Sequence, residues 1–455
     1  MTERFRPAVA PAYLFLCLLL GGSPQGVWGA AILQLLAIAL ITWTLLERRE
    51  AGLARPAKQL LVLLCLAVLL VLIQLVPLPP GIWTALPGRA FVADGFELLG
   101  MAPPAMPISL SPYDSVATLL ALLPAIGMLA ATLVLRAYST LLLAAALIAG
   151  ALAGVLLGIL QVSSPFPEQS PWYLYRVSNF GVATGFFANS NHMAALLLVT
   201  IPSIAAVGAT IRARTADVRA RSAGLAVVFS GLVLIILGLV LNRSLAGYGL
   251  GVPVVLASML ILFGMPARWT VATAIGSVLA GIAAIALLWT SPIGTQFNDL
   301  GASTSVTSRR QIAATSLALA GEFAPLGSGL GTFPKLYQLK EDPNTVDQFY
   351  VNHAHNDYLE AAIETGLPGL LLILAFLLWW GMSVWRMLRS PASDHFAVAG
   401  AVASAAILMH SMVDYPLRSA AISAVFAVSL VLILQSRRSS HSDSDLRPVR
   451  HLTVG

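Results

Sequence analysis

Long apolar runs fill most of the chain and short polar segments separate them. A helix that crosses a bilayer needs about 20 apolar residues. On that measure the pattern predicts an all-α polytopic membrane protein with about 12 transmembrane helices. The spans fall near 12–24, 27–46, 59–77, 114–135, 140–162, 188–211, 222–241, 245–264, 269–290, 367–386, 396–413 and 418–435. The first has the outline of a signal peptide, with Arg4 and Arg6 ahead of an apolar stretch. A second apolar segment begins at Val27, so the pattern predicts an uncleaved first span. Two intervals stay polar. Residues 78–113 are proline-rich ("PLPPGIW", "MAPPAMP"), and 291–366 form the largest soluble element. Within the latter, 307–322 reads as a helix, followed by the turn "PLGSGLGTF" and a polar stretch to Tyr350. The expected organisation is a membrane domain over 1–290 with nine spans, a loop over 291–366 and a membrane domain over 367–435 with three. A disordered cytoplasmic tail follows over 436–455.

Charge orients this pattern. With the N-terminus cytoplasmic, most of the 26 lysines and arginines fall on the cytoplasmic side, as the positive-inside rule requires. The exceptions are Arg89, Arg176, Arg243, Arg309, Arg310, Lys335, Lys340 and Arg418. Most acidic residues fall with them, so the polar chemistry is expected on the outer face. The composition, 58% hydrophobic and 10% charged, excludes a soluble domain. The net charge of +6 is accounted for by cytoplasmic loops and gives no reason to expect nucleic acid. The two cysteines, Cys17 and Cys65, lie in apolar runs and offer neither a disulfide framework nor a metal site.

Candidate chemistry gathers in "VNHAHNDYLEAAIETGLPG", residues 351–369. Asp357 and Glu360 have capping-box spacing and predict a helix starting near Tyr358. Gly366 suits its C-cap and Pro368 the first turn of the next helix. His355 and Asn356 then precede a helix N-terminus, a place that favours negative charge. Position alone is equally compatible with a base and with a capping loop. Arg309 and Arg310 oppose the charge bias, and arginine forks onto phosphate or carboxylate oxygens. Arg243, in the tight turn "LNRSLAG", either snorkels to headgroups or enters a cavity. "FFANSNHMAALL" brings Asn189, Asn191 and His192 to the outer start of a span, as caps or as cavity residues. "PWYLYRVSNF" adds aromatics and Arg176, suited to sugar stacking or to the interfacial belt. His410 and Asp414, four apart, either orient a base or form a structural hydrogen bond, and the structural reading is favoured. "GSGLGTF" lacks the strand before it and the Lys-Ser/Thr after it that a phosphate loop needs, so it reads as a tight turn.

These residues carry a resemblance. His355, Asn356, nine residues, Gly366, two residues and Gly369 match the motif of the O-antigen ligase and O-antigen polymerase superfamily of bacterial envelope glycosyltransferases. An arginine, a helix, "PLGSGLGTF" and Tyr337 ahead of the motif resemble the same family, as does "FFANSNHMAA". The family often has Ser-Arg-x-Gly where this chain has Ser244-Leu245-Ala246-Gly247, with Arg243 two residues earlier. The resemblance implies an inverting, metal-independent glycosyltransferase of the inner membrane that uses no cofactor. Both termini would be cytoplasmic and the active face periplasmic. The donor would be an undecaprenyl-diphosphate-linked glycan. The acceptor would be lipid A-core for a ligase, or a second lipid-linked glycan for an O-antigen or exopolysaccharide polymerase. His355 would be the base and Arg310, with Arg309 as the alternative, would meet the diphosphate beside Arg243. Asn356, Arg176, Asn189, Asn191, His192 and Tyr337 would bind substrate, and membrane lipids would surround the whole. A polysaccharide transporter fits less well, because transporters carry polar residues near the midplane. Here they cluster on one face.

Overall fold

The computed structural model describes residues 3–47, 52–266, 268–270, 272, 273, 276, 303–344, 346, 350–390 and 394–435, the stretch 303–308 as backbone only. Apolar sequence becomes helix nearly throughout, because inside a bilayer each backbone N–H and C=O must be paired within its own segment. The membrane helices are α1 (Val9–Leu20), α2 (Val27–Leu46), α3 (Arg55–Gln74), α5 (Pro112–Val134), α6 (Thr140–Val162), α7 (Ser190–Arg214), α8 (Val218–Asn242) and α9 (Leu245–Leu262). After the polar loop come α12 (Asp357–Leu388), α13 (His395–His410) and α14 (Ala420–Gln435). Eight of these helices are long and apolar enough to cross a membrane, whereas α1, α13 and α14 are shorter. All but a few residues at the start of the span expected over 269–290, and the tail from 436, lie outside the described residues.

The central helix is α7. It is buried around its whole circumference from His192 to Ala206, and α8, α9 and α13 pack against it. Asn189 caps it, accepting a hydrogen bond from the Asn191 N–H at 2.8 Å. The other side of the bundle is built by α1 on α6 and α14, and by α2 on α5.

The segments expected to share one face do meet at one end of the bundle. Gln25 pairs with Val177, Asn242 with Ala183, Ser244 with Asn191, Asn356 with Met412, and Gln74 with Glu364. At the opposite end Arg6 forms an ion pair with Glu47 at 2.6 Å, and the Thr140 hydroxyl bonds Gln435 at 3.3 Å.

The polar loops form a cap over the first end. Residues 75–111 contain the short pair β1 (Pro77–Leu78) and β2 (Met106–Pro107), and the helix α4 (Ala90–Leu98). The larger loop contributes α10 (Ser303–Glu322) and α11 (Phe333–Lys340). The stretch containing α11 reads in the sequence as irregular polar chain. It is helical because Pro334 lies in its first turn while Phe333, Leu336 and Tyr337 turn inward. These three pack with Ile312, Leu319, Phe323, Ala354 and Ile363 into a small core separate from the membrane core.

The glycine-rich turn ties this cap to α12. Ser328 N–H bonds Ile363 O, Gly329 N–H bonds Glu364 O, and Leu367 N–H bonds Pro325 O, all within 2.8–2.9 Å. Arg89 locks the same turn from the other loop. It is buried, donates to Ile108 O at 2.5 Å and Gly327 O at 3.0 Å, and lies 5.3 Å from the centre of the Phe323 ring. Burial lowers its pKa to about 10.

Where the turn meets α12, the helix breaks. Gly366 takes φ 59° and ψ −152°, so 357–365 is a distinct helical segment ahead of the span. A Cβ there would collide with the carbonyl oxygen of Pro325 and lie 2.6 Å from the Gly327 nitrogen. Gly366→Ala is therefore expected to cost roughly 1–3 kcal/mol in backbone strain alone, with the clash added. A thermal melt of the full chain in detergent checks this, and an unchanged midpoint would refute it.

Candidate active site

The segment 357–365 is capped by Asn356, whose Oδ1 accepts from the N–H groups of Tyr358 and Leu359, both at 3.0 Å. The sequence suggested Asp357 and Glu360 as a capping box, and the structure corrects this. Asp357 is already helical and its carboxylate accepts from the Ser411 hydroxyl at 2.8 Å. Glu360 reaches back past the cap to accept from the Ala354 N–H at 2.9 Å. Asn356 is thus occupied at both ends, since its amide donates to Met412 O at 3.0 Å.

The chain enters the cap through His355, which holds φ 51°, a left-handed conformation in which histidine is among the enriched residues. This turn aims the imidazole across at residue 414, and Nδ1 lies 3.2 Å from Asp414 Oδ1. The Tyr415 N–H donates to the same oxygen at 2.9 Å. Asp414 is fully buried. Burial pulls its carboxyl upward, but the His355 hydrogen bond and the charges of His192, His355 and His410 hold it well below the usual carboxylate range. A buried ionised carboxylate needs such partners.

The pair expected between His410 and Asp414 is absent. Helix α13 ends at His410, and although the Asp414 N–H still reaches the His410 carbonyl at 3.0 Å, the two side chains do not pair. Asp414 turns to His355. His410 is fully buried, and neither ring nitrogen has a hydrogen-bond partner among the described residues. Asp414 Oδ2 and His192 Nε2 are in the same condition. Each such group costs about 1–3 kcal/mol when left unpaired, so a cluster of them marks a place suited to a polar ligand.

Tyr415 is the centre of the cluster. Its ring lies 4.0 Å from that of His353, 5.0 Å from His192 and 5.2 Å from His355. Its hydroxyl accepts from the Asn189 amide at 3.3 Å. Burial raises the phenol's pKa.

A second network lies beside it. Asp357, Glu360 and Glu364, at i, i+3 and i+7, share one face of the helical segment. Arg418 meets all three, with nitrogen–oxygen distances of 3.7, 3.2 and 3.0 Å in that order. Burial would weaken its charge, but Glu360, Glu364 and Asp357 more than restore it, so it stays protonated. Glu360 also takes His353 Nδ1 at 2.9 Å.

The other residues singled out in the sequence fall at different distances from this centre. Asn189 and His192 reach Tyr415 directly. Asn191 accepts from the Ser244 hydroxyl at 2.7 Å, which binds α7 to the turn that carries Arg243. Arg243 itself is exposed, with φ 57°. Arg309 and Arg310 both lie on α10; Arg309 is half-buried and within electrostatic reach of His410, and Arg310 is exposed. Tyr337 is buried in the small core of the cap and bonds Thr315, away from the histidines. Arg176 stands exposed on the 163–189 loop. Asp414, Tyr415 and Arg418 were not singled out as site residues; the signal for them was three polar residues closing one turn, "VDYPLR", between two apolar helices.

The fold and the cluster together define a multi-pass α-helical membrane protein with a histidine–carboxylate centre built at one end of its bundle. A model of the O-antigen ligase family matches residues 230–374, a segment that includes Arg243, both α10 arginines, the glycine-rich turn and the His355 motif. That match supports the O-antigen ligase superfamily for this part of the chain. No curated protein matches it.

Proposed function

We propose that the protein is a membrane glycosyltransferase that moves a glycan from undecaprenyl diphosphate to a hydroxyl of lipid A-core, on the periplasmic face of the bacterial inner membrane. The observation that carries this reading is the His355–Asp414 hydrogen bond. Asp414 fixes the ring with Nδ1–H toward the carboxylate, which leaves Nε2 as the proton acceptor. Nε2 takes the proton of the acceptor hydroxyl as its oxygen attacks the anomeric carbon. The bond to the diphosphate breaks on the opposite face, so the configuration inverts. The diphosphate leaves with the bonding electrons, and guanidinium groups offset its charge in place of a metal. Arg309 and Arg310 serve this role, with Arg243 approaching from the α8–α9 turn. Asn189, Asn191 and His192 frame the other wall, and both termini are cytoplasmic.

A second reading, a polymerase joining lipid-linked repeats to O-antigen or exopolysaccharide, uses the same chemistry with a different acceptor. A deletion strain separates the two. Loss of a ligase leaves lipid-linked polymer unattached to lipid A-core, which is the expected result. Single repeat units on the core would assign the polymerase, and a wild-type polysaccharide profile would refute both.

A further inference from the structure

We infer that His353, held by Glu360, is a second substrate-binding imidazole, and that it takes hydroxyl groups of the acceptor. This rests on the reading of the protein as a glycosyltransferase. Four histidines surround Tyr415 and Asp414, but His192 and His410 are buried. His353 and His355 keep 19% and 26% of their side chains exposed, so these two can touch a substrate.

The two are built alike. Each directs Nδ1 to a buried carboxylate, at 2.9 Å for Glu360 and 3.2 Å for Asp414, and each packs against the Tyr415 ring. Glu360 is surrounded by donors, the Ala354 N–H at 2.9 Å and the Arg418 guanidinium at 3.2 Å. Facing such an acceptor, His353 Nδ1 carries the hydrogen and Nε2 is left to bond outward.

Charge decides which substrate His353 meets. Asp357, Glu360 and Glu364 lie on its side, with Arg418 among them. Three carboxylates about one guanidinium disfavour a diphosphate. They do not disfavour sugar hydroxyls, which are neutral and accept or donate. The arginine whose charge reaches the cluster from the cap is Arg309, on the His410 side. The acceptor therefore lies over His353 and the donor's diphosphate over α10.

The test uses the full chain in proteoliposomes, with an undecaprenyl-diphosphate-linked glycan as donor. Lipid A-core and a second lipid-linked glycan are tried in turn as acceptor. His353→Gln is expected to raise the acceptor KM by about tenfold, change kcat by less than about threefold, and leave binding of undecaprenyl diphosphate unchanged. An unchanged KM, or an equal loss of undecaprenyl diphosphate binding, overturns the assignment. Histidine acylation by diethyl pyrocarbonate on the wild-type protein gives an independent answer if the variant inserts poorly. Acceptor should protect His353, whereas undecaprenyl diphosphate alone should not; no protection, or equal protection by both, refutes the proposal. A wild-type protein that transfers to neither acceptor and binds no undecaprenyl diphosphate overturns the glycosyltransferase reading, and this inference with it.

Discussion

Arg418→Gln should destabilise the protein by about 3–5 kcal/mol, the usual effect of removing one member of a buried ion cluster. Arg418 is the guanidinium shared by Asp357, Glu360 and Glu364, of which Glu360 and Glu364 are at most 1% exposed. Without it, carboxylates with few other donors remain in a low-dielectric setting. The contrast is Lys340→Gln, which removes an exposed pair with Glu322 at 3.0 Å. Exposed pairs contribute about 0–1 kcal/mol. Thermal melting in detergent should therefore show a large downward shift for Arg418→Gln and almost none for Lys340→Gln. Similar midpoints would mean the network does not hold the helical segment in place. Arg418→Lys should recover only part of the loss, because an ammonium cannot fork onto carboxylates set on successive turns.

His355→Ala should reduce glycan transfer by about 10²–10⁴-fold, in protein that inserts and melts normally. Asp414→Asn should come close to that loss, because an amide does not fix the imidazole as an ionised carboxylate does. The depressed pKa of Asp414 gives a sign for the pH response. Its ionised form contributes stability that is fully present above the ordinary carboxylate range and is lost progressively as pH falls from there through the depressed folded value. The transfer rate of purified variants, compared at equal amounts of folded protein, checks both substitutions.

The helices were legible because bilayer crossing demands long apolar runs, and Val27–Leu46 and Thr140–Val162 match the expected spans end to end. The break at Gly366 was legible for a related reason: a glycine and a proline two apart stop one helix and start another. What joins the site was not legible. Asp414 lies 59 residues from His355, and the helical spacing pointed it at His410 instead. The backbone keeps that spacing, with the Asp414 N–H on the His410 carbonyl at 3.0 Å, but the carboxylate turns to His355, which no local pattern announces. The cap went to Asn356 rather than Asp357 because Ser411 and Arg418, both distant in sequence, claim the aspartate. Neighbouring positions on a helix point about 100° apart. The resemblance put Arg310 first with Arg309 as the alternative; in the structure Arg309 is half-buried and within electrostatic reach of His410, whereas Arg310 is exposed.

A double-mutant cycle on His355 and Asp414 tests the central claim most directly. Purified protein in proteoliposomes would be given an undecaprenyl-diphosphate-linked glycan and an acceptor, and the first turnover followed by release of undecaprenyl diphosphate. If the two residues act as one unit, their effects will not add. His355→Ala should then lose at least about 100-fold, and the double variant His355→Ala with Asp414→Asn should be no slower than His355→Ala alone. A His355→Ala protein that turns over at the wild-type rate, or two losses that multiply in the double variant, would contradict the account.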